Sequence, residues 1–298
     1  NAWHLSAVQN DTNVINRAIE HFTKPLEPTN LDRRRLELLT EKRLDNQISN
    51  MMDQIDNQVI MLQGWPGTGK TIRLLHLGYR LAVELGASVL VLTYNRALVS
   101  DIRRMLSFTG LGDDVGGERV EIDTVHSVMH SLVKAIGINV EEDAFFEKYD
   151  DYKNEALELL SEVATEDDYA QLVDSTMPWD YILIDEGQDW PQNELELIMK
   201  VRGHRGLVIA NGVSQLVRQP FPADWAAAIP MKNRIVLQLD KCLRMKANLI
   251  RFVTSLADEL AIRSRWSSEE AIDGGRVVIL DGDYGNRKDL HGSLIDQI

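Results

Sequence analysis

Gly64-Trp65-Pro66-Gly67-Thr68-Gly69-Lys70-Thr71 lies between an apolar run, Gln58-Val-Ile-Met-Leu62, and a stretch of helical period at residues 72–85. A strand, a glycine-rich turn and a helix start, in that order, give the pattern G-x-x-x-x-G-K-[ST] its chemistry. Gly67 and Gly69 let the backbone curl so that successive N–H groups point inward at phosphate oxygens. The helix start adds partial positive charge. On this reading Lys70 reaches the β- and γ-phosphates, and the Thr71 hydroxyl holds the Mg²⁺ that bridges them. Residues 64–71 therefore predict a phosphate-binding loop.

Working outward, apolar runs alternate with helical periods. Helix is expected at residues 31–56, strand at 88–93, helix at 95–108, strand at 119–123 and helix at 126–136. After an acidic segment with helical period at 151–163 and 166–174, a strand falls at 181–185 and a helix at 191–201, with Pro191 as its first residue. Strands at 206–210 and 234–239, a helix at 246–262 and a strand at 276–280 complete the series. Strands and helices in alternation predict an α/β fold, a parallel sheet with helices on both faces. Such sheets bind ligands at the carboxyl ends of their strands. Three polar clusters fall at those ends: residues 64–71, 185–189 and 211–215.

The chain of 298 residues carries a net charge of −14 and a single cysteine, Cys242. One cysteine allows no internal disulfide and no cysteine-cluster metal site, which leads to an expected reduced, cytoplasmic setting. The charge is uneven. Residues 141–174 hold thirteen acidic side chains against two lysines, and the remainder is close to balanced. The acidic stretch is expected to be a solvated helical insert or a protein-contact surface, since it would repel a nucleic-acid backbone. No apolar run is long enough to predict a membrane span.

Asp185-Glu186 ends an apolar strand. Such a pair can serve simply as charge at a helix N-terminus. Downstream of a phosphate loop it has other work available: Asp185 completes a Mg²⁺ shell, and Glu186 orients or deprotonates the attacking water. The two carboxylates are then expected to face the metal from a strand neighbouring the loop.

The run Asp-Glu-Gly-Gln-Asp at 185–189 resembles the DExQD motif of superfamily 1 helicases, most closely the UvrD/Rep group. The resemblance continues in order. Gln47 is similar to the glutamine that reads adenine, residues 92–98 to motif Ia, and residues 123–127 to the Thr-Phe-His-Ser motif. Gln215 resembles the motif III glutamine that couples γ-phosphate to DNA, and Cys242-Leu243-Arg244 the motif IV segment with its γ-phosphate arginine. Two positions depart from the family pattern: Asn211 or Gly212 stands where an aspartate is usual, and Leu243 where an aromatic stacks on adenine.

The resemblance implies a RecA-like ATPase that takes ATP and Mg²⁺. It implies nucleotide contacts from Gln47, Gly64, Trp65, Pro66, Gly67, Thr68, Gly69, Lys70 and Thr71, and metal contacts from Thr71 and Asp185. Glu186, Gln215 and Arg244 would act in catalysis. Thr93, Tyr94, Asn95, Thr124 and His126 would face single-stranded or duplex DNA, with RNA as a further candidate; strand ending, helix capping and packing are their bland alternatives. The implied division is an N-terminal segment at 1–30, a first RecA-like domain at 31–136 and 175–235, the acidic insert at 137–174, and the start of a second RecA-like domain at 236–298, truncated before motifs V and VI. The alternative reading is a nucleotide-dependent switch that binds a protein partner, through the acidic insert, without translocating.

Overall fold

Val59, Met61, Leu90, Leu92, Ile182, Ile184, Leu207 and Ile209 are buried in one apolar cluster, while Ile60, Leu62, Val89, Val91, Leu183, Val208 and Ala210 are buried in another. Side chains alternate along a strand, so two clusters filled by alternate residues mean a sheet covered on both faces. A computed structural model describes residues 33, 42–108, 120–162, 176–212, 222–243, 245–261, 266–267 and 273–277. Within them the strands are β1 (Val59–Gly64), β2 (Val89–Thr93), β3 (Val120–Thr124), β4 (Tyr181–Ile184), β5 (Leu207–Gly212) and β6 (Arg234–Leu239). They form a six-stranded sheet in the order β3-β2-β4-β5-β1-β6, with every pairing parallel.

Three helices serve one face: α1 (Lys42–Met52), α2 (Lys70–Glu84) and α3 (Arg96–Phe108). Ile48 and Met51 of α1, Leu74, Leu77 and Leu81 of α2, and Val99 and Ile102 of α3 fill the second cluster. The other face is covered by α4 (Val125–Ala135), α5 (Tyr149–Glu162) and α6 (Gln192–Arg202), with a short α7 (Trp225–Ala228) beside them. A further helix, α8 (Ala247–Glu259), follows β6. Parallel strands buried on both faces explain why β1, β2, β4 and β5 read as continuous apolar runs.

The structure departs from the expected layout in four respects. β4 does not neighbour β1, because β5 lies between them. β6 joins this sheet through its register with β1, across the expected division at residue 235. The acidic helix α5 is not simply solvated: Tyr152, Ala156 and Leu160 enter the same core as β2 and β4. Pro191 is the N-cap of α6, with extended backbone, rather than its first helical residue. The expected helix at 166–174 lies outside the described residues, as does most of the expected strand at 276–280.

Candidate functional site

The carboxyl ends of β1, β4 and β5 converge on one rim. At the end of β1 the chain turns through Gly67 (φ 81°) and Gly69 (φ 79°), a left-handed backbone open to glycine at no steric cost. Gly69 is the N-cap of α2 and offers no side-chain acceptor, which leaves the first N–H groups of that helix facing the loop's interior. Thr68 is fully buried, and its hydroxyl donates to the Trp65 carbonyl at 2.8 Å. Lys70 is buried and its ammonium donates to the carbonyls of Gly64 (3.0 Å) and Trp65 (3.3 Å), so the cation sits folded into the loop. Two later segments close over the outside. The Leu243 amide donates to Gly67 O at 2.8 Å, and Trp266 Nε1 donates to Pro66 O at 3.2 Å with its ring 5.6 Å from that of Trp65.

Thr71 is the second residue of α2, and its hydroxyl donates to both oxygens of Asp185, at 3.0 and 3.2 Å. Asp185 is fully buried at the end of β4. Burial, then the charge of Glu186, pushes its carboxyl up to about 7, while the Thr71 hydrogen bond and Lys70 pull the other way. Glu186 adopts a left-handed backbone (φ 51°), uncommon for a residue with a side chain and typical of places where function fixes geometry. Gln188 braces it: Nε2 donates to Glu186 Oε2 at 2.6 Å, while Oε1 accepts from the Gly212 amide at 2.5 Å. The ends of β4 and β5 are thereby joined.

Gly187 sits where no side chain fits. A Cβ there would meet Asn211 Oδ1 and Ile209 Cγ2, both at 2.6 Å. Its carbonyl accepts from Trp225 Nε1 at 2.8 Å. Asn211 Oδ1 is itself buried with no hydrogen-bond partner among the described residues, which leaves an acceptor beside the Glu186–Gly187 peptide.

On the α1 side of the loop, Gln47 accepts a hydrogen bond through Oε1 from Arg73 Nε at 3.1 Å. Leu243 packs over Gly69, where a Cβ would meet its Cδ1 at 2.6 Å. Gln215 and Arg244, both expected in catalysis, lie outside the described residues.

The residues expected to face nucleic acid share the neighbouring strand ends, with Thr93 and Thr124 in register across β2 and β3. Each has a local structural task. Asn95 Oδ1 accepts from the amides of Ala97 and Leu98 at the start of α3, and Thr124 Oγ1 accepts from the Ser127 amide as the N-cap of α4. Thr93 is buried and accepts from the Asn95 amide at 3.4 Å. The Tyr94 ring meets His126 and Trp190 edge-on, and its hydroxyl hydrogen-bonds to Glu194. His126 packs in turn on Phe146 and Tyr149.

A group of three or more His, Cys, Asp or Glu side chains able to hold a metal by themselves is absent among the described residues. A magnesium ion needs no such group, since it keeps waters and takes one or two protein oxygens plus those of phosphate. The oxygen donors of Thr71 and Asp185 beside an N–H-lined loop fit that demand. A family model described as an AAA domain (AAA_19) matches residues 47–219, more than half of the chain.

The chain belongs to the AAA_19 family.

AAA_19 is a P-loop nucleoside triphosphatase domain found in UvrD/Rep-like helicases, and nucleotide binding follows from membership. A search of curated proteins gives no match. Sequence reasoning passed over Arg73, Gly187 and the Lys153–Glu194 pair within the AAA_19 domain, and Trp225 just after it. An arginine set among Leu74, Leu75 and Leu77 on a buried helix face was the available signal for the first. No helix among the described residues is long and apolar enough to cross a membrane.

Proposed function

We propose that this domain is the ATP-binding half of a superfamily 1 helicase-like motor, which hydrolyses Mg-ATP and couples that to movement on single-stranded or duplex DNA. The observation that carries the reading is the meeting of Thr71 and Asp185 at 3.0 Å across 114 residues of sequence, with Glu186 next in line. Thr71 and Asp185 would hold Mg²⁺, which when bound neutralises charge on the phosphate oxygens. Lys70 turns from the Gly64 and Trp65 carbonyls to the phosphates, and the N–H groups at the start of α2 cradle them. Glu186, held by Gln188, orients the attacking water and takes its proton. Gln188 reports on β5 through Gly212, a direct link between the water-activating residue and the next strand. Gln47, exposed and bonded to Arg73, and the apolar Leu243 packed on Gly69 support a seat for the base.

The nucleic-acid part of the reading is supported by the run of polar strand ends beside the site, Thr93, Asn95, Thr124 and His126. Steady-state ATP turnover with and without single-stranded DNA, and with RNA in a parallel arm, tests the whole. A low basal rate raised by DNA and abolished by Glu186→Gln supports the motor. Turnover indifferent to either nucleic acid overturns it in favour of a nucleotide-dependent switch.

A further inference from the structure

Arg73 is 5% exposed on a helix whose other buried residues include Leu74, Leu75, Leu77 and Leu81, and burial pulls its guanidinium below its ordinary value. A cation so placed needs partners, and it has three acceptors, one on α1 and two in the phosphate loop. Nε donates to Gln47 Oε1 on α1 at 3.1 Å, and Nη1 donates to the Thr68 carbonyl at 2.6 Å and the Gly69 carbonyl at 3.5 Å. One side chain on α2 thus connects the phosphate loop to α1.

The chemistry of that connection is asymmetric. A guanidinium carries donors and no acceptor, so the Gln47 amide must turn its oxygen to Arg73. A free glutamine amide exchanges its oxygen and nitrogen by a half-turn of its last torsion and so adapts to whichever edge it meets. A purine's Hoogsteen edge offers an N7 acceptor beside position 6, where adenine has an amino donor and a 6-oxopurine has an acceptor. An amide of fixed sense, giving its N–H to N7 and its remaining oxygen lone pair to position 6, pairs with the amino group. Against a 6-oxo group it sets lone pair against lone pair.

We propose that Arg73 is a positioning residue that makes the nucleotide site select 6-aminopurine over 6-oxopurine triphosphates, by locking the sense of the Gln47 amide. The proposal rests on the nucleotide-binding reading given above. It concerns which base is accepted, and does not depend on whether the domain moves on DNA.

The experiment compares Mg-ATP with Mg-ITP, which share sugar and phosphates, by titration calorimetry on the full chain. The unaltered protein is expected to bind ATP about tenfold or more tightly than ITP. In Arg73→Met and in Arg73→Gln, whose amide still donates to the Thr68 carbonyl but no longer fixes Gln47, that ratio is expected to fall to within about twofold. Arg73→Lys, again a donor without an acceptor, is expected to restore much of it. A purely structural Arg73 would weaken both nucleotides alike and leave the ratio intact, and an intact ratio in folded Arg73→Gln overturns the proposal. Should neither Arg73→Met nor Arg73→Gln fold, Gln47→Leu at its exposed position decides: retained preference for ATP overturns the proposal, and its loss supports it. A wild-type protein that binds both triphosphates equally overturns the proposal alone. One that binds neither overturns the nucleotide reading as well.

Discussion

Lys153 and Glu194 form an ion pair at 3.1 Å in which both side chains are shut away from solvent, at 1% and 0% exposure. The pair joins the acidic helix α5 to α6, the helix that follows Asp185-Glu186. It is supported on both sides: Lys153 Nζ lies 4.0 Å from the centre of the Tyr149 ring, and Glu194 holds the Tyr94 hydroxyl. Removing one partner strands the other as a buried charge. Lys153→Met is expected to cost about 3–5 kcal/mol of folding stability, whereas Lys153→Met combined with Glu194→Gln should recover much of that loss. Urea denaturation of the two variants and the parent checks this. Additive losses in the double variant would contradict it.

Asp185 gives the unliganded protein a defined pH dependence. Its folded value is about 7 against an ordinary 3.8, so between those values the native state keeps a proton that the unfolded chain has released. The contribution to stability is full below about pH 4, and is lost as pH rises through about 7. Asp185→Asn cannot ionise, and should be more stable than the parent at about pH 8 by on the order of a few kcal/mol, with the advantage shrinking towards about pH 4. Denaturation in the absence of Mg²⁺ and nucleotide, across that range, is the measurement. Parallel pH curves for the two proteins would refute the assignment.

Gly187→Ala introduces a methyl group where Asn211 Oδ1 and Ile209 Cγ2, both on the central strand β5, are each 2.6 Å away. A destabilisation of about 1–3 kcal/mol is expected, typical of overpacking. Because Glu186 precedes it in a left-handed conformation, ATP turnover should fall further than stability alone explains. Turnover measured well below the melting temperature separates the two effects.

Lys70→Ala removes the cation from the loop but leaves the fold's apolar contacts in place. Nucleotide affinity should drop roughly 10- to 150-fold, the scale of a charge-assisted hydrogen bond, with little change in melting temperature. Calorimetric titration with Mg-ATP checks it, and unchanged affinity would remove Lys70 from the phosphate site.

Much of this architecture is written locally. Val59 to Leu62, Val89 to Leu92 and Tyr181 to Ile184 are apolar without interruption because both faces of the sheet are covered, and the phosphate loop carries its glycines where the backbone turns left-handed. Strand order is another matter. That β5 separates β1 from β4 depends on how the crossovers pack, and no residue pattern marks it. The charge count of α5 concealed its buried stripe, because Tyr152, Ala156 and Leu160 occupy one face while the acids crowd the rest. β6 mixes half-buried and exposed positions as an edge strand does, which disguised its membership of the first sheet. Arg73 and Lys153 were illegible for a shared reason: a buried cation is explained by a partner 26 or 41 residues away, which local spacing does not reveal.

Leu243 spends its amide on the Gly67 carbonyl and Trp266 its indole on that of Pro66, so the chain leaving β6 is tethered to the phosphate cradle at two points. Any rotation of those peptides either snaps a tether or drags the downstream polypeptide along. Were the loop to turn on taking up phosphate, the same two hydrogen bonds would carry that motion to the segments on either side of α8.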